Sequence, residues 1–96
     1  MLIIAGYLIM DPLDRAQFVD AHLDLVNRAR AASGCLDLAI SPDPVDARRV
    51  NNYEAWDSED SLNAWRLVAA APHLDIKFTD GEMSKYLVET TAPVFG

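Results

Sequence analysis

From Leu2 to Met10 the chain is apolar at both parities. Leu2, Ile4, Leu8 and Met10 alternate with Ile3, Ala5, Tyr7 and Ile9. A strand apolar on both sides needs cover on both sides. The chain's own helices can supply one cover. No strands are left over for a second sheet, so a second copy of the chain is expected to supply the other.

Asp11-Pro12-Leu13-Asp14 reads as a helix start, with Asp as N-cap, Pro at the first helical position and an acid in the first turn. Phe18, His22, Leu25, Ala29 and Ala32 then follow one another at helical spacing, and Ser33-Gly34 closes the run. One continuous helix is expected there, with His22 inside its apolar stripe. "CLDLAIS" alternates Leu36, Leu38 and Ile40 against Asp37, Ala39 and Ser41, a half-buried strand. "PDPVDA" is a turn of Pro and Asp.

"RRVNNYEAW" is a further strand, and its Val50, Asn52, Glu54, Trp56 parity mixes large apolar groups with polar ones. A solvated face seldom carries Val and Trp, and a dry core seldom carries Asn and Glu. That mixture suits a cavity wall. Asp57-Ser58-Glu59-Asp60 caps a second helix with acids at its positive end, and Leu62, Trp65 and Ala69 take its inner side. Ala70-Ala71-Pro72 ends it. "PHLDIKFTDGEM" is weakly patterned and reads as an irregular crossover, and "SKYLVETT" as the last strand, with Tyr86 and Val88 on one side.

The order is strand, helix, strand, strand, helix, strand. Right-handed crossovers put both helices on one face of a four-stranded antiparallel sheet, so the expected fold is α+β, a ferredoxin-like βαββαβ domain over residues 1–96. A chain of 96 residues suits one domain, and its core is small enough that burial against a partner would help.

Charge narrows the partners. The formal net charge is −7 and the eight basic residues are scattered, apart from Arg48-Arg49, which argues against nucleic acid and against anionic membranes. The apolar start is too short to span a bilayer and has no basic flank or cleavage site, so it reads as a strand and not a signal. Cys35 is the single cysteine, which excludes an intrachain disulfide and suits a reducing cytoplasm. No Gly-rich phosphate loop occurs. The two histidines lie 51 positions apart without metal-ligand neighbours, so no metal site and no cofactor are expected.

The chain resembles the antibiotic biosynthesis monooxygenase family over nearly its whole length. The resemblance rests on the Gly34-Cys35 step into the second strand, the turn "SPDPVDARR" and above all "YEAWDSEDSLNAW". The last is similar to the family's Glu-x-Trp, followed by an acidic cap and an aromatic residue or His nine positions after the Trp. The resemblance implies a homodimer whose sheets close into an α+β barrel. It also implies a small hydrophobic aromatic ligand. The family includes cofactor-independent oxygenases of hydroxylated aromatics and haem-degrading proteins, and one fold hosting several reactions fixes none of them.

Trp65 fits two roles, a core filler or a pocket wall whose indole N–H faces a substrate oxygen. His73, just past the second helix, is the preferred base, with His22 in its place if His73 points outward. An ordinary imidazole pKa of ~6.5 suits proton abstraction near neutrality. Asn52 would be a second donor. Glu54 is either a pocket group or a structural hydrogen-bond partner. Phe18, Leu62 and Tyr86 are the expected walls. Three functions follow: cofactor-independent oxidation of a quinol or polycyclic phenol by O₂, haem binding or degradation, and a non-catalytic dimeric module for a small ligand. For ring cleavage of haem, relatives use an Asn on the first strand, where this chain has Gly6 and Tyr7, and an iron-binding His to which His73 corresponds only loosely.

Overall fold

The computed structural model describes all 96 residues. Its elements are β1 (Leu2–Met10), α1 (Pro12–Ala21), α2 (Leu23–Arg30), β2 (Cys35–Pro42), β3 (Arg49–Trp56), α3 (Glu59–Val68) and β4 (Phe78–Leu87). The four strands form one antiparallel sheet in the order β2-β3-β1-β4, the ferredoxin-like arrangement. The caps form as the sequence implies. Asp11 Oδ1 accepts the Leu13 N–H at 2.9 Å, and Ser58 Oγ accepts the Ser61 N–H at 3.1 Å.

Register decides which parity meets the helices. Leu2 pairs with Trp56, Ile4 with Glu54, Gly6 with Asn52 and Leu8 with Val50. Leu2, Ile4, Leu38 and Trp56 pack against Leu25 and Ala29 of α2 and against Leu62 and Trp65 of α3. A smaller cluster of Met10, Phe18 and Val50 lies under α1. The opposite parity carries Ile3, Ala5 and Tyr7, with Tyr53 and Tyr86 beside them in register. No helix covers that face.

Two glycines are dictated by close approach. Gly34 has φ +82 just past α2, and a Cβ there would overlap the Ser61 hydroxyl and the Asp57 carboxylate. At Gly6 a Cβ would run into the backbone of Glu82 and Met83, so only glycine lets β4 lie this close to β1.

Three expectations change. The single long helix is broken at His22, whose backbone N–H bonds back to Val19 at 3.1 Å, one residue tighter than α-helical spacing. A bulge between Cys35 and Asp37 turns Leu36 outward to 55% exposure, so it does not share the inner face with Leu38 and Ile40. The last strand begins at Phe78 and ends at Leu87 rather than spanning 84–91. It is an edge strand with nearly every residue exposed, and an alternating pattern arises only where one face is buried.

Candidate active site

A cavity of about 150 Å³ lies between the helices and the sheet, lined by His22, Leu25, Leu38, Ile40, Asn52, Glu54 and Trp65 together with Ala39 and Tyr53. It is built from four parts of the chain. β3 contributes Asn52 and Glu54 from its mixed parity, β2 contributes Leu38 and Ile40, α3 contributes Trp65, and the α1–α2 junction contributes His22 and Leu25. A broader hollow of about 550 Å³ near Asp11, Asp14, Arg48 and Lys77 is lined by charged groups with no aromatic ring, and it resembles a surface groove.

The helix break sets His22. Its backbone N–H has turned to Val19, so the Phe18 carbonyl loses its α-helical partner. The imidazole takes its place: Nδ1 lies 2.7 Å from Phe18 O. A carbonyl only accepts, so Nδ1 carries the proton and Nε2 the lone pair. Nε2 has no partner within the chain and is not sealed from solvent. The Phe18 ring supports the imidazole, with centroids 4.2 Å apart.

Glu54 is anchored along its own strand. The Trp56 indole N–H donates to Glu54 Oε1 at 3.0 Å, and Oε2 is left free. Trp56 is fully buried and stacks on Trp65 at 6.2 Å. The Trp65 indole N–H finds no acceptor in the chain and stays accessible. The Arg28 guanidinium lies 5.6 Å from the Trp65 ring and donates to Ala69 O at 2.8 Å, tying α2 to the negative end of α3. Asn52 Nδ2 makes a long contact of 3.7 Å with Met83 Sδ, while Asn52 Oδ1 is buried without a partner. A buried amide oxygen left this way is costly in a purely structural role.

The structure therefore brings together His22, Asn52, Glu54 and Trp65. His73 is not with them. α3 ends at Val68 and Ala70 adopts a left-handed φ of 47, and the chain then carries His73 out to solvent, away from the cavity. Tyr86 is no wall either. It pairs with Ile3, on the parity facing away from the helices, and is 54% exposed. Leu62 and Phe18 are buried in the two core clusters behind the cavity and do not line it. Sequence reasoning missed Leu25, Leu38 and Ile40 as walls, because their spacing is equally that of core residues. Burial first, then the charges of Asp37 and Glu54, push the Cys35 thiol pKa up, which disfavours its thiolate.

A family model described as antibiotic biosynthesis monooxygenase matches residues 1–70. The chain belongs to the antibiotic biosynthesis monooxygenase family. Among solved structures it is similar to a candidate member from Deinococcus radiodurans, at 20% identity and TM-score 0.77 with all of both chains covered. It is similar also to one from Nitrosomonas europaea, at 17% identity and TM-score 0.73, covering 94% of this chain and all of the other. The heme-degrader MhuD from Mycobacterium tuberculosis, solved with two hemes in its active site, aligns at 10% identity and TM-score 0.67, over 97% of this chain and all of its own. At these identities the likeness is one of fold. No curated protein sequence matches the chain. No helix is long and apolar enough to cross a membrane.

Proposed function

We propose that this family member is a cofactor-independent monooxygenase that oxidises a hydroxylated aromatic with O₂. The observation that supports it best is His22. Its Nδ1–H is committed to Phe18 O, and its lone-pair nitrogen is free beside a cavity shared with Trp65. A phenolic hydroxyl presented to Nε2 loses its proton to the imidazole. The resulting phenolate is electron-rich enough to reduce O₂ itself. For a hydroquinone, one molecule of substrate and one of O₂ give a hydroxyquinone and water, and the substrate supplies all four electrons. The Trp65 N–H is the donor available to a developing oxyanion, and the apolar walls keep the site poor in water. Asn52 holds the ring in place through its amide.

In this reading two copies pair their uncovered sheet faces, closing an α+β barrel around Ile3, Ala5, Tyr7, Tyr53 and Tyr86. Oxygen uptake with a panel of quinols tests the activity. The expected result is consumption above autoxidation, lost in His22→Leu and retained in His73→Ala. Ligand binding with no oxygen uptake would favour the non-catalytic module. A haem, far larger than one aromatic ring, is poorly served by a cavity of about 150 Å³.

A further inference from the structure

The polar atoms around the cavity are unequally divided between acceptors and donors. His22 Nε2 accepts, because Nδ1–H is already spent on Phe18. Glu54 Oε2 accepts, because only Oε1 is taken by Trp56. Asn52 Oδ1 is a third acceptor and is unpaired. Against these stand the Trp65 indole N–H and an Asn52 amide already turned to Met83. Of the three, Asn52 Oδ1 is buried and has lost its hydration with nothing in return, while His22 Nε2 and Glu54 Oε2 are accessible, unpaired acceptors at the cavity. The ligand that fits must bring hydrogen-bond donors, and more than one.

Two further observations bound it. An enclosed cavity near ~150 Å³ accommodates benzene, whereas pockets for larger ligands begin near ~300 Å³; this one is about 150 Å³ and open on one side, so its walls enclose about one ring. The Glu54 carboxylate on its wall, in a chain of net charge −7, disfavours an anionic ligand.

We propose that the cavity binds a single aromatic ring bearing two hydroxyl groups, a monocyclic hydroquinone or catechol, in preference to fused-ring or carboxylated aromatics. The role of this ligand as substrate rests on the oxygenase reading above. One hydroxyl donates to His22 Nε2 and the other to Glu54 Oε2. Leu25, Leu38 and Ile40 hold the faces of the ring against Trp65. Glu54 is thus a specificity residue: it selects the second hydroxyl and rejects a carboxylate, while His22 takes the proton that reaction requires.

An anaerobic titration followed by amide chemical shifts tests binding apart from turnover. The probes are hydroquinone, phenol, hydroquinone dimethyl ether, benzoate and naphthohydroquinone. Hydroquinone is expected to bind more tightly than its dimethyl ether by well over about tenfold, because the ether loses both donated hydrogen bonds and the charge-assisted one to Glu54 alone is worth about tenfold. It should also bind more tightly than naphthohydroquinone, and benzoate should not shift the cavity amides. In Glu54→Gln, which keeps an acceptor for the Trp56 N–H, the advantage of hydroquinone over phenol should largely vanish. No binding of hydroquinone, equal binding of its ether, tighter binding of the fused-ring probe or of benzoate, or an undiminished advantage in Glu54→Gln would each overturn the proposal. Admitting air separates the two readings. Selective hydroquinone binding without oxygen uptake sinks the oxygenase reading and leaves the binding preference standing. Uptake with the fused-ring quinol alone sinks the preference and leaves the oxygenase.

Discussion

Trp56 and Trp65 stack with ring centroids 6.2 Å apart and planes 27° from parallel. Nine positions apart in sequence, they face each other because β3 turns directly into α3, which folds back over the same side of the sheet. Trp56 is sealed in the core and holds Glu54, whereas Trp65 has one side on Trp56 and another on the cavity. Trp65 is therefore both packing and wall.

Trp65→Phe divides those two roles. Phe retains much of the apolar volume, so unfolding stability should fall by roughly 1–1.5 kcal/mol, the range of tolerated core swaps. Loss of the indole N–H should lower quinol turnover per folded molecule on the order of a hundredfold. Urea unfolding and oxygen uptake on the same preparation check both. A destabilised variant with an unchanged rate would confine Trp65 to packing.

Acid should destabilise the protein through Asp43. Its Oδ1 accepts from Asn51 Nδ2 at 2.9 Å, and its Oδ2 accepts from the backbone N–H groups of Val45 at 3.0 Å and Asp46 at 2.8 Å. These bonds, the one from Asn51 first, hold its pKa down to about 2 from an ordinary 3.8. The folded-state pKa is the lower one, so the contribution is fully present above pH 3.8 and is lost as pH falls toward about 2. Stability measured across that window should decline in the wild type and decline less in Asp43→Asn.

Ala70 occupies a left-handed φ of 47 just past α3, where glycine is the usual residue. An L-side chain there costs roughly 1–2 kcal/mol, partly offset in Gly by the entropy of its unfolded chain. Ala70→Gly should raise stability by about 0.5–1 kcal/mol. A thermal midpoint unchanged or lowered would count against a strained cap.

The uncovered sheet face predicts a homodimer. Sedimentation at micromolar concentration should give twice the 10.6 kDa chain mass. Ala5 is half-buried in the middle strand of that face, so Ala5→Arg should yield a folded monomer. A wild-type monomer at 10.6 kDa would refute the barrel.

Haem should not form an iron-ligated complex through His73, which is exposed and apart from the cavity. Titration with haem should give no sharp Soret band at one haem per chain. A sharp band abolished in His73→Ala would reverse this assignment.

Periodicity and capping residues by themselves determine most of the fold. The double apolar parity of Leu2 to Met10, the Asp11-Pro12 and Ser58 caps and the mixed parity of Val50, Asn52, Glu54 and Trp56 are local patterns. Each reports how one element is buried or where it starts, because a side chain's solvent exposure repeats with its own backbone period. The exposed edge strand from Phe78 carries no such repeat, so its start is not legible in the sequence. Which histidine meets the cavity is a different kind of question. His22 and His73 are equivalent as residue types, and only the break at His22, the left-handed turn at Ala70 and the packing of α3 over β3 put one inside and the other in solvent. Tyr86 likewise goes to the far face through its pairing with Ile3. The cavity's volume and its surplus of acceptors depend on residues from 22 to 65 meeting at one point. Such distances follow from packing between elements far apart in the chain, so tertiary structure alone decides them.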